Sequence, residues 1–316
     1  MTKQGLKTAL SVLLLTLLPL FWSIATGFLR FAQHWHGSEL VTYAIDKSGF
    51  ALAILMTLIG LNDRPGAAGT EVRNVFIRRP PPAHPLAFLS EREGPAWLCW
   101  LPAFWAVLAS HNLPEPANSI TRGLGIGLPL LFALIDSARR KSMFFWFWPL
   151  WIDTALSLSQ GIDNQPSVTA GWCAVSLAVA IGEEGLYRGL IMRQLAGLSP
   201  LRQVVISAGL FGASHLMGLM AAFNWRVICA QAIGATAIGL VLGAARLRAR
   251  SIWPGVAAHT VLDAAGLSAA GGLSGALAYS HAEIGLMLAA AIVTTGWGLW
   301  LCRTLPQPDD RLKLAE

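Results

Sequence analysis

Residues 164–188 read NQPSVTAGWCAVSLAVAIGEEGLYR, an uncharged apolar run that ends in two acids and an arginine. Two further segments repeat this oddity: Phe211-Gly212-Ala213-Ser214-His215 lies in a run without charge from Arg202 to Arg226, and His259-Thr260-Val261-Leu262-Asp263 lies beyond Arg250. Each run is near the ~20 residues that a helix needs to cross a bilayer. An acid inside such a span costs roughly 2.5–3.5 kcal/mol on insertion scales, so it marks a functional site by default. Glu183, Glu184, Arg188, His215, His259 and Asp263 are therefore the candidate site, and as a set they are the groups of a hydrolytic centre within a membrane.

The rest of the chain agrees with a membrane setting. Hydrophobic residues make up 54% and charged residues 13%, with mean hydropathy +0.55, values that exclude an ordinary soluble domain. Spanning runs are expected at 8–29, 94–114, 164–182, 203–225, 227–245, 251–282 and 284–302, with weaker ones at 40–61, 116–135 and 142–162. The fold expected is an all-α polytopic bundle of eight to ten spans. Bulky Phe21 and Trp22 near the end of a long first run argue for a retained helix over a cleaved signal peptide. With ten spans and the N-terminus inside, 19 of the 23 Lys and Arg residues fall on the cytosolic side and only Arg30, Lys47, Arg122 and Arg226 fall outside, which predicts N-in/C-in. Basic residues scattered between apolar runs do not form a nucleic-acid stripe, and none is expected as a partner. Cys99, Cys173, Cys229 and Cys302 lie in apolar runs without a C-x-x-C pair and read as packing residues. Three regions follow: 1–162, an N-terminal membrane region with a cytosolic loop at 62–95; 163–270, a protease core; and 271–316, the last span with a short cytosolic tail.

Depth and spacing bear on the site independently. At 1.5 Å per residue, His215 lies roughly 20 Å in from Arg202, His259 roughly 14 Å and Asp263 roughly 20 Å in from Arg250, and Glu183 roughly 15 Å in from Arg193. All sit between the cytosolic boundary and mid-membrane. Glu184 and Arg188 are i,i+4, as are His259 and Asp263, so each pair can meet along its own helix, while Glu183 points about 100° away from Glu184. Phe211 is i,i+4 from His215 and walls its ring. Glycines 182, 185, 189, 209 and 212 let backbones approach closely near these groups, and Gly239 with Gly243 reads as helix packing. A bland alternative makes each pair a structural tie between helices, but two histidines and three acids at one depth on three spans outweigh it.

In this order, Glu-Glu-x-x-x-Arg, Phe-x-x-x-His and His-x-x-x-Asp resemble the CPBP family, the CAAX-protease and bacteriocin-processing glutamic intramembrane endopeptidases, over roughly Ser167 to Ala270. Ser251-Ile252-Trp253-Pro254 ahead of His259 is also similar to that family. The resemblance implies peptide-bond hydrolysis in the bilayer, with Glu183 as the base that activates water, His215 assisting, and His259 and Asp263 at the positions assigned to the oxyanion. It implies a membrane-anchored or lipophilic peptide or protein substrate, a bacterial cytoplasmic membrane and a site open to the cytosol, with no cofactor. Many members carry Asn where this chain has Asp263, and an ionised Asp cannot donate to an oxyanion. Asp263 is either protonated, or ionised and holding His259 as imidazolium; the self-neutralising pair favours the second. Two other chemistries fit parts of the sequence. A zinc protease would use His215, His259 and Glu183 as ligands, although H-E-x-x-H is absent. A serine protease would use Ser274 in Gly272-Leu273-Ser274-Gly275, which reads better as a turn. A non-catalytic immunity or transport protein is the rival from another class. The charge split predicts that single-cysteine labelling from outside the cell modifies position 164 and spares position 140.

Overall fold

The computed structural model describes residues 12–19, 21–22, 24–25, 41–45, 47–49, 143–159, 161, 166–220 and 224–305. The loop at 62–95, the expected spans at 94–114 and 116–135, and the tail beyond residue 305 lie outside the described residues, as do positions 163–165. Within them the protein is helical, with no strand. Helical turns at 12–19, 21–22, 24–25, 41–45 and 47–49 belong to the first two expected spans. Then come α1 (Met143–Trp146), α2 (Trp148–Ser159) and α3 (Pro166–Glu183), which passes directly into a π-helical segment (Glu184–Ile191) and α4 (Met192–Gln194). After these follow α5 (Pro200–His215), a 3-10 turn (Leu216–Met220), α6 (Trp225–Ala249), α7 (Trp253–Ala269), α8 (Leu273–Ala276) and α9 (His281–Arg303). Two of these, α6 and α9, are long and apolar enough to cross a membrane by length and composition.

Local sequence sets the ends of the helices. Pro200 opens α5, where its missing N–H is no loss, and Asn224 caps α6 by accepting from the Val227 N–H. At α9 the Ser280 hydroxyl accepts from the Glu283 N–H while the Glu283 carboxylate accepts from the Ser280 N–H, a reciprocal capping box. The long run at 251–282 is not one helix. Gly271 at φ +71° takes the left-handed conformation, and the Gly272 N–H returns to the Leu267 carbonyl at 2.9 Å, a Schellman closure that stops α7 after Ala269.

Packing is close where side chains are small. α6 lies between α5 and α9, and α7 lies against α2 and α3. Gly239 faces Ala208 and Gly243 faces Val204, so the G-x-x-x-G of α6 is the seam with α5, as its spacing predicts. A methyl on Gly212 would come within 1.8 Å of the Thr236 hydroxyl and 2.6 Å of the Ala232 carbonyl, whereas a methyl on Gly209 would meet nothing within 4 Å. Only Gly212 of these two glycines permits a close approach. The outer faces are apolar: Ile292 on α9 is 74% exposed, and Leu286, Val293, Val205 and Ile206 are exposed with it. The interior holds buried Glu183, Glu184, Arg188 and His259. Such a distribution, charges within and hydrocarbon without, reverses that of a soluble domain.

Gly212→Val is expected to cost roughly 1–3 kcal/mol or more by forcing α5 away from α6, because one of the two clashes is with backbone and cannot rotate away. Gly209→Ala is expected to leave the melting temperature unchanged or slightly raised. Thermal unfolding of the two purified variants checks both.

Candidate active site

The acids sit where helix geometry changes. α3 delivers Glu183 as its last residue, and from Glu184 the backbone widens into the π-helical register. A π segment shifts the usual ladder of hydrogen bonds, and neighbouring helices supply donors to it: the Ser207 hydroxyl of α5 donates to the Tyr187 carbonyl at 2.9 Å, and Arg246 Nε of α6 donates to the Arg188 carbonyl at 3.2 Å. Arg246, which its sequence position places in a cytosolic segment, is thus a buried side chain against the site's backbone. The motif was expected on an ordinary α-helix. Its π register is accompanied by these two hydrogen bonds from α5 and α6.

Glu184 is the most constrained acid. Its Oε1 accepts from Arg188 Nη1 at 2.8 Å and faces Nδ1 of His259 at 3.2 Å. Oε2 lies where only a glycine fits opposite, since a methyl on Gly255 would approach it to 2.9 Å. Arg188 is also held from above: its guanidinium lies 4.3 Å from the centroid of the Phe211 ring, a cation–π contact in a buried setting. The i,i+4 pair read from sequence is present, and α7 adds His259 to it.

His259 joins the three acids. Nδ1 faces Glu184, while Nε2 lies 3.4 Å from Asp263 Oδ2 and 3.7 Å from Glu183 Oε2. With carboxylate oxygens at both ring nitrogens, each nitrogen has an acceptor for a proton, the hydrogen-bonding pattern of an imidazolium. Asp263 is 27% exposed along its side chain and borders the more open side of the cluster.

Glu183 does not stand free, as its helical angle suggested. Its Oε1 accepts from Lys47 Nζ at 2.8 Å, and Oε2 faces His259. Lys47 is the site residue that sequence reasoning missed. The signal was present, because Asp46-Lys47 interrupts the run 40–61 with the same costly charge that singled out the acids, but the charge split set Lys47 among the outer residues.

His215, half-buried at the C-terminal end of α5, comes in through Phe211 and not through Glu183. Nδ1 lies 2.9 Å from the Phe211 carbonyl, which accepts its proton and leaves Nε2 with the lone pair. The Phe211 ring meets His215 edge-on at 4.9 Å, His259 at 5.8 Å and Tyr187 at 5.2 Å between centroids. One phenyl ring therefore touches Arg188, Tyr187 and both histidines. Among the described residues no hydrogen bond links His215 to Glu183, and no three His, Cys, Asp or Glu side chains are arranged to hold a metal ion. Of the ligands that the zinc reading would use, His259 has carboxylates at both ring nitrogens, while His215 donates from Nδ1 to a carbonyl and keeps Nε2 as a ligand atom. Ser274 is exposed in the four-residue α8, next to the turn at Gly271 and Gly272, as a turn residue would be.

Glu184→Gln is expected to lower the stability of the purified protein by about 3–5 kcal/mol, because Arg188 would remain buried with no counter-charge at 2.8 Å. Thermal or denaturant unfolding measures it. A loss no greater than that of an exposed Glu→Gln control would refute the ion pair's structural role.

Comparison with known proteins adds one finding. Residues 165–265 match the family model described as Type II CAAX prenyl endopeptidase Rce1-like. No curated protein and no solved structure matches the chain. The matched stretch coincides to within a few residues with the one whose motifs resemble the CPBP family, and it contains both glutamates, the arginine, both histidines and Asp263. Over residues 165–265, about a third of its length, this protein is thus similar to the Rce1-like domain of Type II CAAX prenyl endopeptidases.

Proposed function

We propose that this protein is a multi-pass intramembrane endopeptidase of the glutamic type, which hydrolyses peptide bonds in membrane-associated protein or peptide precursors. The observation that carries the reading is the convergence of Glu183, Glu184 and Asp263 on His259, at 3.2–3.7 Å, in the buried interior of an Rce1-like domain whose outer faces are apolar. The chain runs N-in/C-in through a bacterial cytoplasmic membrane, and the site opens towards the cytosol; the charge distribution and depth of the site residues support this arrangement. Residues 1–162 are an N-terminal membrane region, 163–270 the protease core, and 271–316 the last span and tail.

Glu183 takes the proton of a water as its oxygen attacks the scissile carbonyl carbon. The His215 Nε2 lone pair accepts the water's other hydrogen and aims the nucleophile. Negative charge then gathers on the former carbonyl oxygen, where an N–H of His259 stabilises it in a site with little water to reorganise. Collapse of the tetrahedral intermediate breaks the C–N bond, and the proton held by Glu183 passes to the leaving amine. Glu184 and Arg188 hold this machinery in place, and Asp263 orients His259 and keeps both its nitrogens as donors. The substrate is a membrane-anchored or lipophilic protein or peptide chain.

Glu183→Gln keeps shape and removes the base, so turnover is expected to fall at least ~10²-fold while the protein still inserts and folds. Comparing membrane peptidomes of cells with wild-type protein and with Glu183→Gln should reveal uncleaved precursors that accumulate only in the variant. Full activity of purified Glu183→Gln would refute the mechanism. Asp263→Asn, which cannot anchor an imidazolium, is expected to lower kcat/KM by about 10²-fold; an unchanged rate would instead assign Asp263 a donor role that Asn reproduces.

A further inference from the structure

We propose that Lys47, which lies outside the Rce1-like domain, is a positioning residue of its site: the ammonium clamps Oε1 of Glu183, and the domain is complete only with segment 41–49 packed against α3. The inference deepens the proposed function and rests on it for the role of Glu183.

Three observations place Lys47 there by construction. First, the ion pair is short, 2.8 Å, with Glu183 buried and the Lys47 side chain 17% exposed. Second, the segment follows one face of α3. Trp172, Val175, Val179 and Glu183 recur at i, i+3, i+7 and i+11, a single helical stripe. Tyr43 meets Trp172 edge-on at 6.2 Å between centroids, Ala44 is buried in the same cluster as Val175 and Val179, and Lys47 ends the row on Glu183. Both segments run past one another in the same order, so the register of Tyr43 on Trp172 sets the depth of Lys47. Third, the segment is anchored from its far side: Trp22 Nε1 donates to the Ile45 carbonyl at 3.0 Å, and a methyl on Gly49 would come within 2.8 Å of the Trp22 ring.

Charge gives the reason. Among the described residues, three carboxylates, Glu183, Glu184 and Asp263, share the site with Arg188 and His259. Those two cations leave one negative charge over, in an interior where uncompensated charge is expensive. Lys47 is the third cation. By taking Oε1 it also fixes the plane of the Glu183 carboxylate, so that Oε2, on the His259 side, is the oxygen that meets a water.

The test uses the full-length protein, purified in detergent. In a double-mutant cycle of thermal stability, Lys47→Met is expected to lower Tm by several degrees, and adding Glu183→Gln to it should recover most of that loss, since the uncompensated charge is then gone. Lys47→Arg should keep the wild-type Tm. Cleavage is followed with an internally quenched peptide ending in a farnesylated cysteine, two aliphatic residues and a terminal residue with a free carboxylate. With it, Lys47→Met should lower kcat about 10²-fold with KM changed less than about threefold, and Lys47→Arg should restore at least about a tenth of the wild-type kcat. Strictly additive changes in Tm, or a Lys47→Met variant as active as wild type, overturn the proposal and leave the protease reading standing. Coupled Tm changes in a wild-type protein that does not cleave the peptide support the clamp and count against the assigned activity.

Discussion

Everything at this site depends on keeping a carboxylate, Glu184, buried and charged. That is tolerable only because Oε1 accepts from Arg188 on its own helix and from His259 on α7. Two donors on one oxygen offset the desolvation that a lone carboxylate would suffer. The remaining features read as supports for this arrangement. Phe211 covers the guanidinium, Gly255 leaves space for the second oxygen, and Ser207 and Arg246 satisfy carbonyls of the π segment that follows. The π register is itself part of the construction, because it sets Glu183 and Glu184 at the junction of two helical geometries, where their side chains reach different partners.

From that anchor the site divides into a fixed half and, in the proposed mechanism, a working half. Glu184, Arg188 and Phe211 are locked by mutual contacts, while Glu183 is buried between Lys47 and His259, and His215 and Asp263 border the more open side. His259 belongs to both halves, with Nδ1 on the fixed acid and Nε2 between the other two. A ring restrained from both sides cannot rotate away, which in the proposed mechanism preorganises it for a developing charge.

Sequence reasoning reached many of these features because they are local or chemically costly. Intramembrane acids and imidazoles announce themselves in any apolar run, and i,i+4 spacing predicts that Glu184 meets Arg188 and His259 meets Asp263, as they do. Phe211 lies beside His215 for the same reason, and the Gly239–Gly243 spacing marks the seam of α6 with α5. Even the break after Ala269 was legible in Gly271-Gly272, had the pair been weighed as a C-terminal stop and not as part of one long run.

What the amino-acid sequence determined by itself is the choice of candidate residues, their pairing within a helix and the helical class of the described fold, since each follows from 3.6-residue periodicity and from the cost of charge in hydrocarbon. Tertiary structure alone decided the contacts between elements. Lys47 reaches Glu183 across 136 positions of chain, His259 draws together acids from two helices, and the hydrogen bonds from Ser207 and Arg246 accompany a π turn that no local propensity favours. Spacing along a helix says nothing about which neighbour that helix will meet. The packing of α3 against α7 and the residues around Lys47, and of the π segment against α5 and α6, fixes those partners through small residues and aromatic rings.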